Sequence, residues 1–174
     1  KNVLHYMTEG KPFLEALITG EHSFCKVVKY RRRFQQLWQT RQKQDCEFLN
    51  VLRDLGYKEC RFDHRSEPMA ILLSRLRAVV GVLKETSKGY LVHKDEAAWA
   101  TKLITLISGP DGFNKLMKFA VGCDFAVACN RMVRMQDVPY ADVALSATEV
   151  IECLEICHVL FQDGRAFDLE GNYT

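Results

Sequence analysis

Apolar residues recur at helical spacing along almost the whole chain, and that pattern predicts an all-α fold. A short segment, Val3 to Met7, precedes Gly10, and Pro12 opens a second that Gly20 ends after Thr19. From Ser23 onward, Phe24, Val27, Val28, Phe34 and Trp38 fall on one face of a helical wheel. Phe48, Leu49, Leu52 and Leu55 continue the apolar content up to Gly56, a natural helix stop. The expectation is one long helix from Ser23 to Leu55, followed by a loop over Tyr57–Arg65. Ser66-Glu67-Pro68 has the chemistry of a helix start. Met69, Leu72, Leu73, Leu76, Val79, Val80 and Leu83 carry that helix to Thr86.

Ser87-Lys88-Gly89 is a break, and Asp95 starts a helix through Trp99, Leu103 and Leu106. Gly109-Pro110-Asp111-Gly112 reads as a turn, and Phe113 to Met135 as the next helix. Between Phe119 and Cys129 the apolar content of that helix is nearly uninterrupted, which predicts a central position. Pro139 ends the connection, a last helix runs from Ala141 to Gln162, and the tail from Arg165 is polar. Tyr90-Leu91-Val92 is β-like but too short to form a sheet.

These elements predict one all-helical domain over residues 1–174, an irregular bundle of six or seven helices. The alternative is a short stack of armadillo- or HEAT-like helical hairpins, suggested by the pair flanking Gly109–Gly112, although strict repeats are absent. Phe34, Trp38, Leu76, Leu103, Phe119, Phe125, Leu154 and Phe161 are the expected core.

Composition leaves that picture intact. Hydrophobic residues make up 48% and charged residues 26% of 174, which is ordinary for a globular chain able to bury a core unaided. No apolar run is long enough for a membrane span. The N-terminus has neither a signal peptide's apolar core nor a starting methionine, so the sequence reads as a segment of a larger protein. Seven cysteines, an odd number placed mostly in apolar helical segments, read as reduced core residues of a cytoplasmic or nuclear protein.

Charge changes the picture more. A formal net charge of +2 conceals a segregation along the chain. From His22 to Gln44 there are seven basic residues and no acidic one; from Gln136 to Thr174 there are eight acidic residues and one basic one. Lys26, Lys29, Arg32, Arg33 and Lys43 project opposite Phe24, Val27, Phe34 and Trp38, with Arg31 and Arg41 at the edge. Such a stripe suits an acidic protein surface, an anionic phosphoinositide or nucleic acid; as a solvated outer face it would bind nothing. Phe34 and Trp38 lie on the core side, so Tyr30 is the one candidate for base stacking. Asp142, Glu149, Glu152 and Asp163 form the counterpart face of the last helix, opposite Val143, Val150, Leu154 and Phe161.

Chemistry-bearing motifs are scarce. Glu155 and His158 make a single Glu-x-x-His, whereas a ferritin-like site requires two. Cys153, Cys157 and His158 invite a zinc reading, but no Cys-x-x-Cys pair exists, so neither a metal nor a cofactor is expected. There is no phosphate loop, nucleophile elbow or kinase signature, so no catalytic residue is assigned. Asp124 interrupts the most apolar helix; it either pairs with Arg75 or Arg77 or lies on an exposed strip with Arg131.

The sequence therefore favours a non-enzymatic interaction or scaffolding domain that binds an acidic partner through the basic stripe. The rivals are a nucleic-acid-binding module and an enzyme whose pocket is assembled from distant residues.

Overall fold

The computed structural model describes residues 10–46, 48–57, 66–89, 94–136 and 143–162. Val3–Met7, Tyr90-Leu91-Val92, the tail from Arg165, Cys60, Asp142 and Asp163 lie outside the described residues. Every regular element among the described residues is helical, so the fold is all-α. α1 (Gly10–Leu14) continues as a π-helical turn, Glu15–Thr19. α2 (Phe24–Tyr30), α3 (Arg32–Asp45), α4 (Ser66–Ser74), α5 (Leu76–Ser87) and α6 (Lys94–Ser108) follow. α7 (Gly112–Gln136) and α8 (Val143–Cys157) come last, and α8 runs into a π-helical turn, His158–Gln162. The chain divides into two compact units, Lys1–Cys123 and Asp124–Thr174.

Two helices expected to be continuous are each broken. The first break is at Arg31, whose backbone is extended (φ −112°, ψ 105°). In one straight helix Phe24 and Trp38 would be about 21 Å apart along the axis. Folded back at Arg31, α2 and α3 bring their rings edge to face at 6.0 Å between centroids. The second break is at Arg75 (φ −120°, ψ 29°), a buried arginine between α4 and α5.

Arg75 and Gln42 also explain a third departure, the early end of α3. The helix stops at Asp45 instead of continuing to Leu55. Gln42, fully buried, donates from Nε2 to the Leu52 carbonyl at 2.8 Å, while Leu52 N–H donates to Gln42 Oε1 at 3.0 Å. The side-chain amide thus takes the part of a backbone partner for the irregular segment after α3. Arg75 donates from Nε to the same Oε1 at 3.1 Å and from Nη2 to the Asn50 carbonyl at 3.1 Å. Gly56 adopts φ +69° inside this segment, and its N–H donates to Asp54 Oδ1 at 2.7 Å. Its left-handed conformation therefore serves a loop turn and not a helix stop.

The first unit is an irregular helical bundle. Ser23 caps α2, accepting from Lys26 N–H at 3.4 Å and donating to the Ile18 carbonyl at 2.9 Å. Phe13 meets Phe119 edge to face at 5.5 Å, and Phe34 meets Trp99 at 5.7 Å. Leu17, Ile18, Val28, Leu72, Val79, Val82 and Leu83 fill the space between. At the α6–α7 turn a Cβ on Gly112 would lie 1.9 Å from the Ile107 carbonyl oxygen, so only glycine fits there. Phe34, Trp38, Leu103 and Phe119 are buried as expected, whereas Leu76 is half-buried.

The second unit corrects the expected helical phase of α8. Leu154, assigned to the core, is 63% exposed, and Leu145, Ile151 and Ile156 are exposed with it. Glu149, assigned to the solvated face, is buried, and the buried side continues through Cys153. Ser146, Val150 and Cys157 flank them half-buried. Phe125 is half-buried and Val127 is exposed, so the apolar run of α7 is not sealed all round. The side chain of Phe161 lies outside the described set.

Candidate binding surface

α3 presents its charges as the wheel requires. Arg32, Arg33, Gln36, Thr40, Lys43 and Gln44 are all exposed, and Phe34, Trp38 and Gln42 are buried on the other side. Arg32 and Lys43 are eleven positions apart, which places them within about 20° on the wheel. No carboxylate shares this outer face. Among the described residues Arg32, Arg33 and Lys43 make no ion pair. The N-terminus of α3 has no side-chain cap, and its first turn holds Arg32 and Arg33 with no acidic residue. Both facts leave positive potential at that end, because the first N–H groups of a helix and its dipole already favour an anion.

Lys26 and Lys29 fall on α2 and do not share that helix face. Lys29 Nζ donates to the Tyr57 carbonyl at 2.7 Å and lies 5.2 Å from the Tyr30 ring centroid. Lys26 Nζ lies 5.7 Å from the Tyr57 ring centroid. These two lysines bracket the buried Tyr57 and help hold the loop after α3. Tyr30 is 62% exposed, beside Lys29. The break at Arg31 therefore separates the predicted stripe into an α2 pair with structural contacts and an α3 face that is open.

The remaining basic residues of the run are neutralised by tertiary contacts. Arg31 pairs with Glu96 of α6 at 2.5 Å. Arg41 pairs with Glu85 of α5 and lies 3.8 Å from Asp45, one turn on. An acid-free sequence run had concealed these partners, which lie outside it.

The first unit also holds a cleft of about 1000 Å³, lined by apolar Pro12, Ala16, Trp99, Leu103 and Leu106 and reached by His22 and Lys102. Its hydroxyls are engaged with backbone: Ser23 caps α2, Thr101 donates to the Ala97 carbonyl, and Thr105 donates to that of Thr101. Trp99 Nε1 donates to the His22 carbonyl at 2.8 Å. None of these contacts joins a nucleophile to a base, the geometry that covalent catalysis requires.

Asp124 is half-buried, and burial pushes its carboxyl above the ordinary range. Arg75, one of its expected partners, uses Nε, Nη1 and Nη2 on Gln42, Ser74 and Asn50. Arg77 is exposed.

The six described cysteines form no disulfide. Three of them, Cys129, Cys153 and Cys157, converge with their sulfurs within 4.8 Å of one another. Sequence spacing missed this group because Cys129 comes from a different helix; the i,i+4 pair Cys153 and Cys157 was its only local signal. Among the described residues no helix is long and apolar enough to cross a membrane. The chain matches no protein-family model, and no significant match to it is found among curated proteins or solved structures.

Proposed function

We propose that this chain is an interaction domain that docks an acidic protein surface on the outer face of α3. The observation that carries the reading is the exposed Arg32–Arg33 pair at the uncapped N-terminus of a fourteen-residue helix. Basic side chains in a first turn oppose the helix dipole, so an incoming carboxylate relieves that repulsion and supplies the missing cap. Lys43 extends the same face by about 16 Å, and Gln36 and Thr40 between them offer hydrogen bonds. The residues that recognise the partner are Arg32, Arg33 and Lys43; Lys26 and Lys29 support the adjoining α2 end. The role is scaffolding in the cytoplasm or nucleus, in keeping with a cysteine-rich chain that forms no disulfide among its described residues.

The test is binding of a glutamate-rich peptide to wild type and to the triple variant Arg32→Gln, Arg33→Gln, Lys43→Gln. Folding stability should change by less than about 1 kcal/mol, since exposed charges contribute little. Affinity should fall at least about tenfold in low salt, and the difference should shrink as screening rises. Equal binding by the variant would remove the site. A nucleic-acid reading draws specific support from Tyr30, exposed beside Lys29. It predicts tighter binding to single-stranded DNA than to the peptide, with loss on Tyr30→Ala.

A further inference from the structure

From the second unit, independently of the basic face, we infer that Cys129, Cys153 and Cys157 form a three-thiolate site for one soft, thiophilic cation, Zn²⁺ or Cu⁺. Cys153 and Cys157 sit one turn apart on α8, where an i,i+4 pair points the same way. Cys129 approaches from the second half of α7, with its Sγ 3.6 Å from that of Cys153. All three sulfurs lie within 4.8 Å of one another.

Those distances suit a common central ion. With metal–sulfur bonds of about 2.3 Å, two thiolates are about 3.8 Å apart in a tetrahedral site and about 4.0 Å apart in a trigonal plane. Closing the described cluster onto an ion requires shifts of less than about 1 Å, which rotation about the cysteine side-chain bonds supplies. Sulfur donors select Zn²⁺ and Cu⁺ over Mg²⁺ and Ca²⁺, which take oxygen. Three protein sulfurs satisfy a trigonal Cu⁺, and with Zn²⁺ they leave a fourth position for water or a partner's donor.

Placement supports the same conclusion. α8 keeps Cys153 buried and Cys157 half-buried while Leu145, Ile151, Leu154 and Ile156 remain exposed. A helix oriented by apolar burial alone would turn the leucines inward. Burial pushes the Cys129 thiol up to about 12 and raises Cys157, so a cation has to displace protons there. Binding converts three S–H groups to thiolates and releases three protons to solvent; no electron is transferred.

The test uses the full chain, reduced and stripped of metal under anaerobic conditions. Co²⁺, the optical probe for a zinc site, should bind once per chain with sulfur-to-cobalt charge-transfer absorption, and Zn²⁺ should displace it. Cu⁺ added against a competing chelator gives the second arm, and the tighter of the two identifies the ion. Cys129→Ser and Cys153→Ser should each weaken binding at least about 100-fold, beyond what loss of an outer contact costs. Cys25→Ser, at a buried cysteine of the first unit, should leave it unchanged. Far-UV circular dichroism checks that each variant is folded, and Cys157→Ser, at a half-buried position, supplies a folded variant if the others unfold. Absence of binding tighter than about 10 µM by either ion, or binding that survives loss of these cysteines in folded protein, overturns the proposal.

Discussion

In α3 the large apolar residues face inward and the charges outward; in α8 Glu152 and Glu155 are also in solvent, but so are most of the large apolar residues. Phe34 and Trp38 are buried on α3 while Arg32, Arg33 and Lys43 are in solvent. On α8 the buried line is Glu149 and Cys153, and Leu154 and Ile151 are exposed. An exposed leucine forgoes about 1.5–3 kcal/mol relative to full burial. Apolar area therefore decided the orientation of α3 and did not decide that of α8. Small side chains such as Ser146 and Cys153 permit close approach, as the 3.6 Å Cys129–Cys153 sulfur contact shows.

Trp38 is the position at which the first unit is most sensitive to truncation. Trp38→Ala should cost about 3–5 kcal/mol in chemical denaturation, because it empties the junction of α2 and α3. A loss near zero would mean that the first unit is not held by that ring. Gln42→Ala should follow at about 2–4 kcal/mol, since it strands the Leu52 backbone and the buried Arg75 guanidinium together. Replacing Arg75 by Met in the Gln42→Ala background should recover part of that loss, and a double-mutant cycle measures how much.

The second unit should respond far less. Leu154→Ala should change stability by under about 0.5 kcal/mol, the ordinary range for a surface position. A cost of several kcal/mol would show that a partner or another part of the chain covers this face. The smallest effect belongs to Asp124→Asn. Burial raises the carboxyl's pKa in the folded state, so the folded protein holds that proton more tightly than the unfolded chain. The resulting stability is present at low pH and is lost as pH rises through the raised value. Asp124→Asn should therefore stabilise slightly at pH 7, and the gain should disappear below the ordinary carboxylate range near about pH 4. Thermal melts of both proteins at the two pH values decide it; destabilisation at pH 7 would point to a cationic partner.

Much of the fold is legible in the chain because helix periodicity is a local property. The all-α class, the phase of α3 and the turn at Gly109–Gly112 follow from spacing and from glycine and proline chemistry. The open face of α3 was equally readable, because Arg32, Arg33 and Lys43 share one side of a single helix. What the chain alone did not reveal depends on contacts between residues far apart in sequence. Arg31 breaks a run that looks helical, and the break is accompanied by the pairing with Glu96 and the contact between Phe24 and Trp38. Gln42 ends the apolar pattern's authority over Leu49–Leu55 by bonding Leu52 from across a loop. The thiol cluster is of the same kind: two of its members are an i,i+4 pair that any helix aligns, and the third arrives from α7. Periodicity sets which side chains share a helix face, but only packing decides which face turns inward, and in α8 packing chose the thiols.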